Sequence, residues 1–186
     1  INANIGGMKT NDDIAETLDH SIAIHDDGTI LHTVTLTRKH NGAPVWPGGI
    51  NYAYLRFYAP AGSRLVTLDN FEREDALQKN PVDTMLYLDE QVPKATTGDA
   101  DITTEHNKTI FGVWQALKPG ETKKSRITYE LPFKMHPDKG SQYYTLTLQK
   151  QAGTHEQRGA LRLYVPEGYT IENTGENTHA TPFSLN

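Results

Sequence analysis

Residues 29–38 read Thr-Ile-Leu-His-Thr-Val-Thr-Leu-Thr-Arg, and this stretch decides the fold class. Ile30, His32, Val34 and Leu36 fall on one side of it, and Thr33, Thr35 and Thr37 fall on the other. An alternation of period two is typical of a strand with one buried face, and threonine is favoured in strands. Residues 21–25 have the same character and precede Asp26-Asp27-Gly28, whose glycine can adopt a positive φ. Together the two stretches predict an antiparallel hairpin.

Six more stretches have strand character, and Gly, Pro, Asn or Asp residues separate several of them. They are residues 50–59, 63–68, 109–117, 124–131, 143–150 and 160–165. Residues 109–117 are apolar on both faces, which predicts a central strand that is covered on two sides. Seven to nine strands at this spacing predict an all-β fold, an antiparallel two-sheet sandwich of the immunoglobulin-like, Greek-key type.

The remaining stretches predict little helix. Thr10 and the polar residues after it favour one capped helical turn, and residues 70–79, which end before Pro81, favour another. Residues 91–107 are rich in Thr, Asp and Lys and predict a long surface loop. The length of 186 residues predicts a single sandwich domain spanning 1–186, with residues 1–19 as a lead-in segment.

Composition excludes several functional classes. With 23 acidic and 18 basic residues and a net charge of -5, the chain offers no positive stripe for phosphates, so we expect no nucleic-acid partner. Zero cysteines exclude thiol nucleophiles, disulfides and thiolate metal sites. No apolar run approaches the roughly 18 residues of a membrane span, so we expect no membrane contact by this chain itself. The start at Ile1, without an initiator Met, indicates a piece of a longer protein.

Catalytic motifs are absent. Neither Gly62-Ser63 nor Gly140-Ser141 forms the G-x-S-x-G elbow that activates a serine nucleophile, and none of the eight histidines belongs to an H-E-x-x-H motif. The sequence therefore predicts a protein that is not an enzyme and needs no cofactor.

Two groups of residues are candidate metal ligands. His25 and His32 could meet across the first hairpin, although a histidine on the apolar face of a strand is more often buried with a hydrogen bond. The carboxylates of Asp99, Asp101 and Glu105 could hold Ca²⁺, but their spacing does not match the calcium-loop pattern and a solvated acidic loop explains them equally. We therefore expect no metal site.

Aromatic residues are the best candidates for a binding surface. Trp46 lies in the Gly/Pro-rich stretch 41–49, where its indole could stack on a sugar, anchor a partner or fold back over one end of the sandwich. Tyr52, Tyr54 and Tyr58 share one face of a predicted strand. This row is either an inter-sheet packing face or an exposed aromatic strip, because alternation alone does not say which face lies inside.

Several phrases of the sequence resemble the C-terminal region of a large family of uncharacterised bacterial cell-envelope proteins, known as a domain of unknown function. The matching stretches are residues 2–10, 54–63, 108–114, 119–122, 129–132 and 144–153. The resemblance spans most of the chain and implies a parent protein with an N-terminal membrane anchor and this module on the extracellular side of the envelope. It implies no catalytic residues.

Two functions remain open from the sequence. The first is a non-enzymatic extracellular envelope module that acts as a spacer, a scaffold or a binding domain for a surface glycan or another envelope protein. The second is an accessory domain that positions substrate for a larger cell-envelope enzyme whose catalytic part lies outside this chain. A catalytic constellation in the full-length sequence would favour the second.

Overall fold

The structure, a computed structural model, describes residues 2–3, 10–45, 48–72, 95–97, 100–136, 139–147, 157–172 and 183–185. Within these ranges the strands are β1 (Asn2–Ala3), β2 (Ile14–Ile24), β3 (Ile30–His40), β4 (Asn51–Pro60), β5 (Arg64–Asp69), β6 (Ala95–Thr97), β7 (Ala100–Glu105), β8 (Lys108–Leu117), β9 (Thr122–Glu130), β10 (Gln157–Tyr164) and β11 (Phe183–Leu185). Eight of them have six or more residues, in agreement with the seven to nine predicted. The helical structure in these ranges is limited to 3-10 turns, one at Asn11–Asp13 and one that includes Lys139.

The strands form two sheets that pack face to face, which confirms the predicted all-β sandwich. One sheet has the strand order β1-β4-β8-β7-β6, and the other has the order β11-β10-β2-β3-β9-β5. Neighbouring strands are antiparallel except β10, which runs parallel to β2. Because consecutive strands such as β3 and β4 lie in different sheets, the chain crosses repeatedly between the two layers.

The predicted hairpin is β2 and β3, and it is longer than the sequence pattern indicated. Its register pairs Ile14 with His40 at one end and Ile24 with Ile30 at the other. Gly28 has a φ of 82° in the connecting turn, as predicted. β2 begins at Ile14, so the predicted lead-in segment 1–19 is wrong for its last six residues. Their alternation was hidden because the polar residues Glu16 and His20 occupy inward positions of β2.

The hydrophobic core lies between the sheets and is built from alternate residues of each strand. β3 contributes Ile30, Val34 and Leu36, β9 contributes Ile127 and Tyr129, β8 contributes Phe111, Val113 and Leu117, and β4 contributes Ala53 and Leu55. Each large apolar side chain buried in this way stabilises the fold by about 1.5–3 kcal/mol. β8 lies between β4 and β7 and is buried along most of its length, as predicted for the central strand.

A buried arginine joins the two sheets at one end of the core. Arg38 of β3 is 0% exposed. It donates hydrogen bonds to Glu16 Oε1 at 2.7 Å, to Gln115 Oε1 at 2.9 Å and to Asn51 Oδ1 at 2.9 Å. Asn51 in turn donates to the Thr10 hydroxyl at 2.9 Å. Thr10 makes no side-chain capping bond, so the predicted capping role is wrong and its hydroxyl holds the first turn to this network.

Two further sequence predictions are wrong in the described residues. The predicted surface loop 91–107 contains β6 and β7, because the β-branched residues of β7 alternate between the inner and outer sides of the sheet. The predicted strand 143–150 is irregular over 143–147, although Tyr144 and Leu146 do point inward. The predicted helical turn at 70–79 falls mostly outside the described residues.

Candidate functional site

An aromatic row lies on the outward side of the five-stranded sheet. Ala53 and Leu55 of β4 point into the core, so the intervening Tyr52, Tyr54 and Tyr58 point away from it. On the neighbouring strand β8, Trp114 pairs with Tyr54 in the register and shares its side of the sheet. We call Tyr52, Tyr54, Tyr58 and Trp114 the aromatic face.

Tyr54 and Trp114 form the centre of the aromatic face. Their ring centroids are 5.1 Å apart and the ring planes are inclined by 48°. Gly112 makes room for this arrangement, because a Cβ atom at that position would lie 1.9 Å from the Tyr54 hydroxyl oxygen. Because Gly112 has no side chain, the Tyr54 ring can lie across β8.

Charged side chains lie beside the rings. The Tyr54 hydroxyl donates a hydrogen bond to Asp101 Oδ2 of β7 at 2.9 Å. Arg56 forms an ion pair with Glu105, and its guanidinium carbon lies 5.2 Å from the centroid of the Tyr58 ring, within the range of a cation–π contact. The aromatic face therefore combines flat apolar surfaces with carboxylate and guanidinium groups.

The rings differ in how far they are open to solvent. Tyr58 is 37% exposed, whereas Tyr52, Tyr54 and Trp114 are half-buried. Ile110, which lies on the same side of β8, is only 1% exposed. Burial on the outward side is therefore uneven, and Tyr58 is the most open ring of the aromatic face.

The structure answers the question that alternation left open for the tyrosine row. Tyr52, Tyr54 and Tyr58 lie on the outward side and do not pack between the sheets. Trp46 lies outside the described residues, so its binding role stays a prediction. The sequence pattern places Trp114 in the predicted central strand 109–117 and does not indicate that it belongs to this surface. The signal was present, because Trp114 alternates with the core residues Phe111, Val113 and Gln115.

The candidate metal ligands have other partners. Asp101 accepts the hydrogen bond from Tyr54 and Glu105 pairs with Arg56, while Asp99 lies outside the described residues. In the part of the chain that the structure describes, no three histidine or acidic side chains converge on a common point.

The suggested meeting of His25 and His32 is wrong. The hairpin register places His32 opposite Ile22, and the ring of His32 contacts His20 instead, with Nδ1 of His32 2.8 Å from Nε2 of His20. Both histidines are buried, in agreement with the expectation that His32 is a hydrogen-bonded core residue. His20 was missed because only the strand register brings it to the same side as His32.

Comparison with known proteins leaves the family open: no protein-family model matches the chain, and neither does any curated protein. Among the described residues, no helix has the length and apolar character needed to cross a membrane.

Proposed function

We propose that this domain is a non-catalytic binding module of the bacterial cell envelope and that it binds a glycan through the aromatic face. The observation that carries the proposal is the position of the rings. Tyr52, Tyr54, Tyr58 and Trp114 are not members of the core between the sheets, so packing of one sheet on the other does not account for their alignment.

The geometry of a strand suits a repeating polymer. Alternate residues of a strand lie roughly 6.8 Å apart, so side chains on one face form a regularly spaced row along the strand. Tyr52 and Tyr54 are separated by one such step, and Tyr58 lies two steps further along β4. Aromatic rings offer sugars a flat apolar surface together with a polar tip.

The charged groups beside the rings supply hydrogen bonds for hydroxyl groups. The carboxylates of Asp101 and Glu105 are acceptors, and the guanidinium of Arg56 is a donor. Such convergent polar groups next to an aromatic surface favour a sugar over a purely apolar ligand.

The extracellular location rests on the sequence resemblance to bacterial envelope proteins, which also implies a membrane-anchored parent. An absence of cysteine fits an exported bacterial module of this kind. A glycan of the envelope is accordingly the ligand that the proposal names.

A titration series tests the proposal. The probes are soluble peptidoglycan fragments, teichoic acid and neutral β-linked oligosaccharides, added to the purified domain while tryptophan fluorescence and heat of binding are measured. We expect one class to bind, and Tyr58→Ala to weaken that binding about fivefold, since an aromatic contact is worth roughly 1 kcal/mol.

The matched control is Tyr164→Ala, because Tyr164 is 56% exposed and lies on β10 of the opposite sheet. It should leave glycan binding unchanged. Equal losses in the two variants, or no binding by any probe, would contradict the proposal. Capture of an envelope protein that depends on Tyr58, without glycan binding, would replace the glycan by a protein partner.

A further inference from the structure

Four aromatic rings form a hydrogen-bonded group inside the core of the sandwich. His20 Nε2 lies 2.8 Å from His32 Nδ1, and the Tyr129 hydroxyl lies 3.2 Å from the same nitrogen. The other ring nitrogen of His32, Nε2, is 2.6 Å from the Tyr144 hydroxyl. We call His20, His32, Tyr129 and Tyr144 the ring cluster. Three of its members belong to β2, β3 and β9, and Tyr144 belongs to the irregular segment 141–147.

The surroundings of the ring cluster are apolar. Its neighbours on the inward faces are Leu18 and Ile22 of β2, Ile30 and Val34 of β3, Ile127 of β9, Leu161 of β10, Leu146 of the segment and Phe111 of the opposite sheet. The nearest charged side chains further along these faces are Glu16, Arg38 and Lys123. Glu16 and Arg38 are paired with each other, and Lys123 is paired with Glu72. In the described residues, therefore, no carboxylate contacts either histidine.

Burial keeps the histidines neutral. It lowers the pKa of His20 from 6.5 to about 4, and burial together with the neighbouring His20 lowers the pKa of His32 from 6.5 to about 3. Burial also raises the pKa of Tyr144 to about 12 and raises the pKa of Tyr129. At neutral pH, all four rings are therefore uncharged.

Tyr144 connects the irregular segment 141–147 to the sheets. Tyr144 and Leu146 are half-buried against the core, while Tyr143, Thr145 and Thr147 are exposed. Among the described residues, the segment forms no ladder with a neighbouring strand. Its contacts there are the inward side chains of Tyr144 and Leu146, the short hydrogen bond between Tyr144 and His32, and a hydrogen bond that the Gln142 side chain accepts from the His136 backbone N–H at 2.8 Å.

We propose that the ring cluster is an acid-operated latch, in which proton uptake by His32 and His20 releases Tyr144 and the segment 141–147 from the core. The first added proton goes to His20, whose pKa is the higher of the two, and the Nε2–H of the cationic His20 can still donate to His32 Nδ1. A second proton makes both imidazoles cationic, and two N–H groups then face each other across 2.8 Å in an apolar core. Release of the segment opens a route for water to the charged rings.

The direction of the effect follows from the lowered pKa values. The docked state is favoured above the ordinary histidine pKa of 6.5, and this preference is lost as the pH falls from 6.5 towards about 4 and about 3. At pH 5, the ratio of released to docked segment is about 30-fold higher than above pH 6.5 for each histidine that regains its ordinary pKa on release. The ratio is roughly 1,000-fold higher when both histidines regain it. The latch does not depend on glycan binding by the aromatic face.

Site-directed spin labelling tests the latch, since the chain contains no cysteine and a single one can be introduced. Thr145→Cys places a nitroxide label in the segment, and Thr104→Cys places the control label at an exposed position of β7. We expect the Thr145 label to gain a mobile component between pH 7.5 and pH 5, reversibly, while the Thr104 label and the far-ultraviolet circular dichroism stay unchanged.

Two variants connect the mobility to the ring cluster. Tyr144→Phe removes only the hydroxyl and should give the Thr145 label a mobile component already at pH 7.5. His20→Phe removes one of the two groups that take up a proton. The ratio of released to docked segment should then rise only about 30-fold between pH 7.5 and pH 5. Tyr144→Phe is the milder change, so it keeps the test decisive where His20→Phe fails to fold.

Two results would overturn the latch. One is a Thr145 label whose spectrum is the same at pH 7.5 and pH 5 while histidine resonances in nuclear magnetic resonance show that His20 and His32 have become protonated. The other is equal loosening of both labels with loss of the circular dichroism signal, which would indicate unfolding of the whole domain.

Discussion

Replacement of Arg38 by methionine tests how the two sheets are held together. Methionine keeps the apolar stem of the side chain and removes the guanidinium group, so the variant isolates the hydrogen bonds from the packing. Arg38 contacts Asn51 and Gln115 in the opposite sheet and Glu16 in its own sheet. Loss of the guanidinium leaves two buried amide oxygens without their donor.

The expected cost follows from these partners. A buried acceptor that loses its donor costs about 1–3 kcal/mol, and Asn51 and Gln115 each lose one. Glu16, with 26% of its side chain exposed, can recover hydration in part. Arg38→Met should therefore lower the free energy of unfolding by about 3–5 kcal/mol, the range seen when one partner of a buried ion pair is removed.

Urea denaturation at pH 7.5, followed by circular dichroism, measures this cost. The matched control is Arg64→Met, because Arg64 also pairs with a carboxylate, Glu130, but 69% of its side chain is exposed. Exposed pairs contribute about 0–1 kcal/mol, so the control should stay close to the unmodified domain. Equal costs in the two variants would refute the role assigned to Arg38.

Three further predictions concern single side chains. Phe111→Ala should lower the free energy of unfolding by about 3–5 kcal/mol, because Phe111 is fully buried between the sheets. Trp114→Ala should lower it clearly less, because the indole is half-buried on the outward side. Urea titration compares the two variants, and a reversed order would contradict the assignment of the two faces. Gly28→Ala should lower the melting temperature more than Gly120→Ala. Both glycines have a positive φ, but of the two only Gly28 would bring the new Cβ against a backbone atom, the Met135 carbonyl oxygen. Equal melting temperatures would contradict the packing of that turn. Gly112→Ala should displace the Tyr54 ring from Asp101 and weaken glycan binding, and it should lower the free energy of unfolding by about 1–3 kcal/mol through overpacking. Unchanged affinity would exclude Tyr54 from the site.

The sequence was sufficient for the fold class because the informative strands carry a regular alternation. Residues 29–38 and 50–59 each showed two distinct faces, and the structure gives both as strands with those faces. For the row of tyrosines the faces could be separated but not assigned, since inside and outside depend on the opposite sheet. The structure assigns them through Ala53 and Leu55, which are buried.

The partners of polar residues in the core could not be predicted from alternation. Arg38 occupies an inward position of β3, yet it is stable there only because of partners that include residues of the opposite sheet. Gln115 lies 77 residues from Arg38, and Tyr144 lies 112 residues from His32. The local sequence pattern does not indicate such partners. A buried arginine therefore cannot be distinguished from an exposed one until the strand register is known.

The existence of β7 and the pairing of β10 also could not be predicted from the local sequence. Residues 100–105 contain only two apolar residues, and β-branched threonines rather than a clear apolar face make up the strand. The parallel pairing of β10 with β2 joins residues about 140 positions apart, as in the pair of Arg158 with Thr17. Such pairings depend on the whole fold and not on the local sequence.

Chemical-shift mapping by nuclear magnetic resonance tests the central claim most directly. The chain has two tryptophans, so the indole N–H signal of Trp114 can be separated from that of Trp46 by a Trp46→Phe variant. When a binding glycan is added, we predict shifts at the Trp114 indole and at the amides of Tyr52, Tyr54 and Tyr58. Shifts confined to the Trp46 indole, or to strands of the six-stranded sheet, would show that the ligand binds elsewhere and would contradict the assignment of the aromatic face as the binding surface.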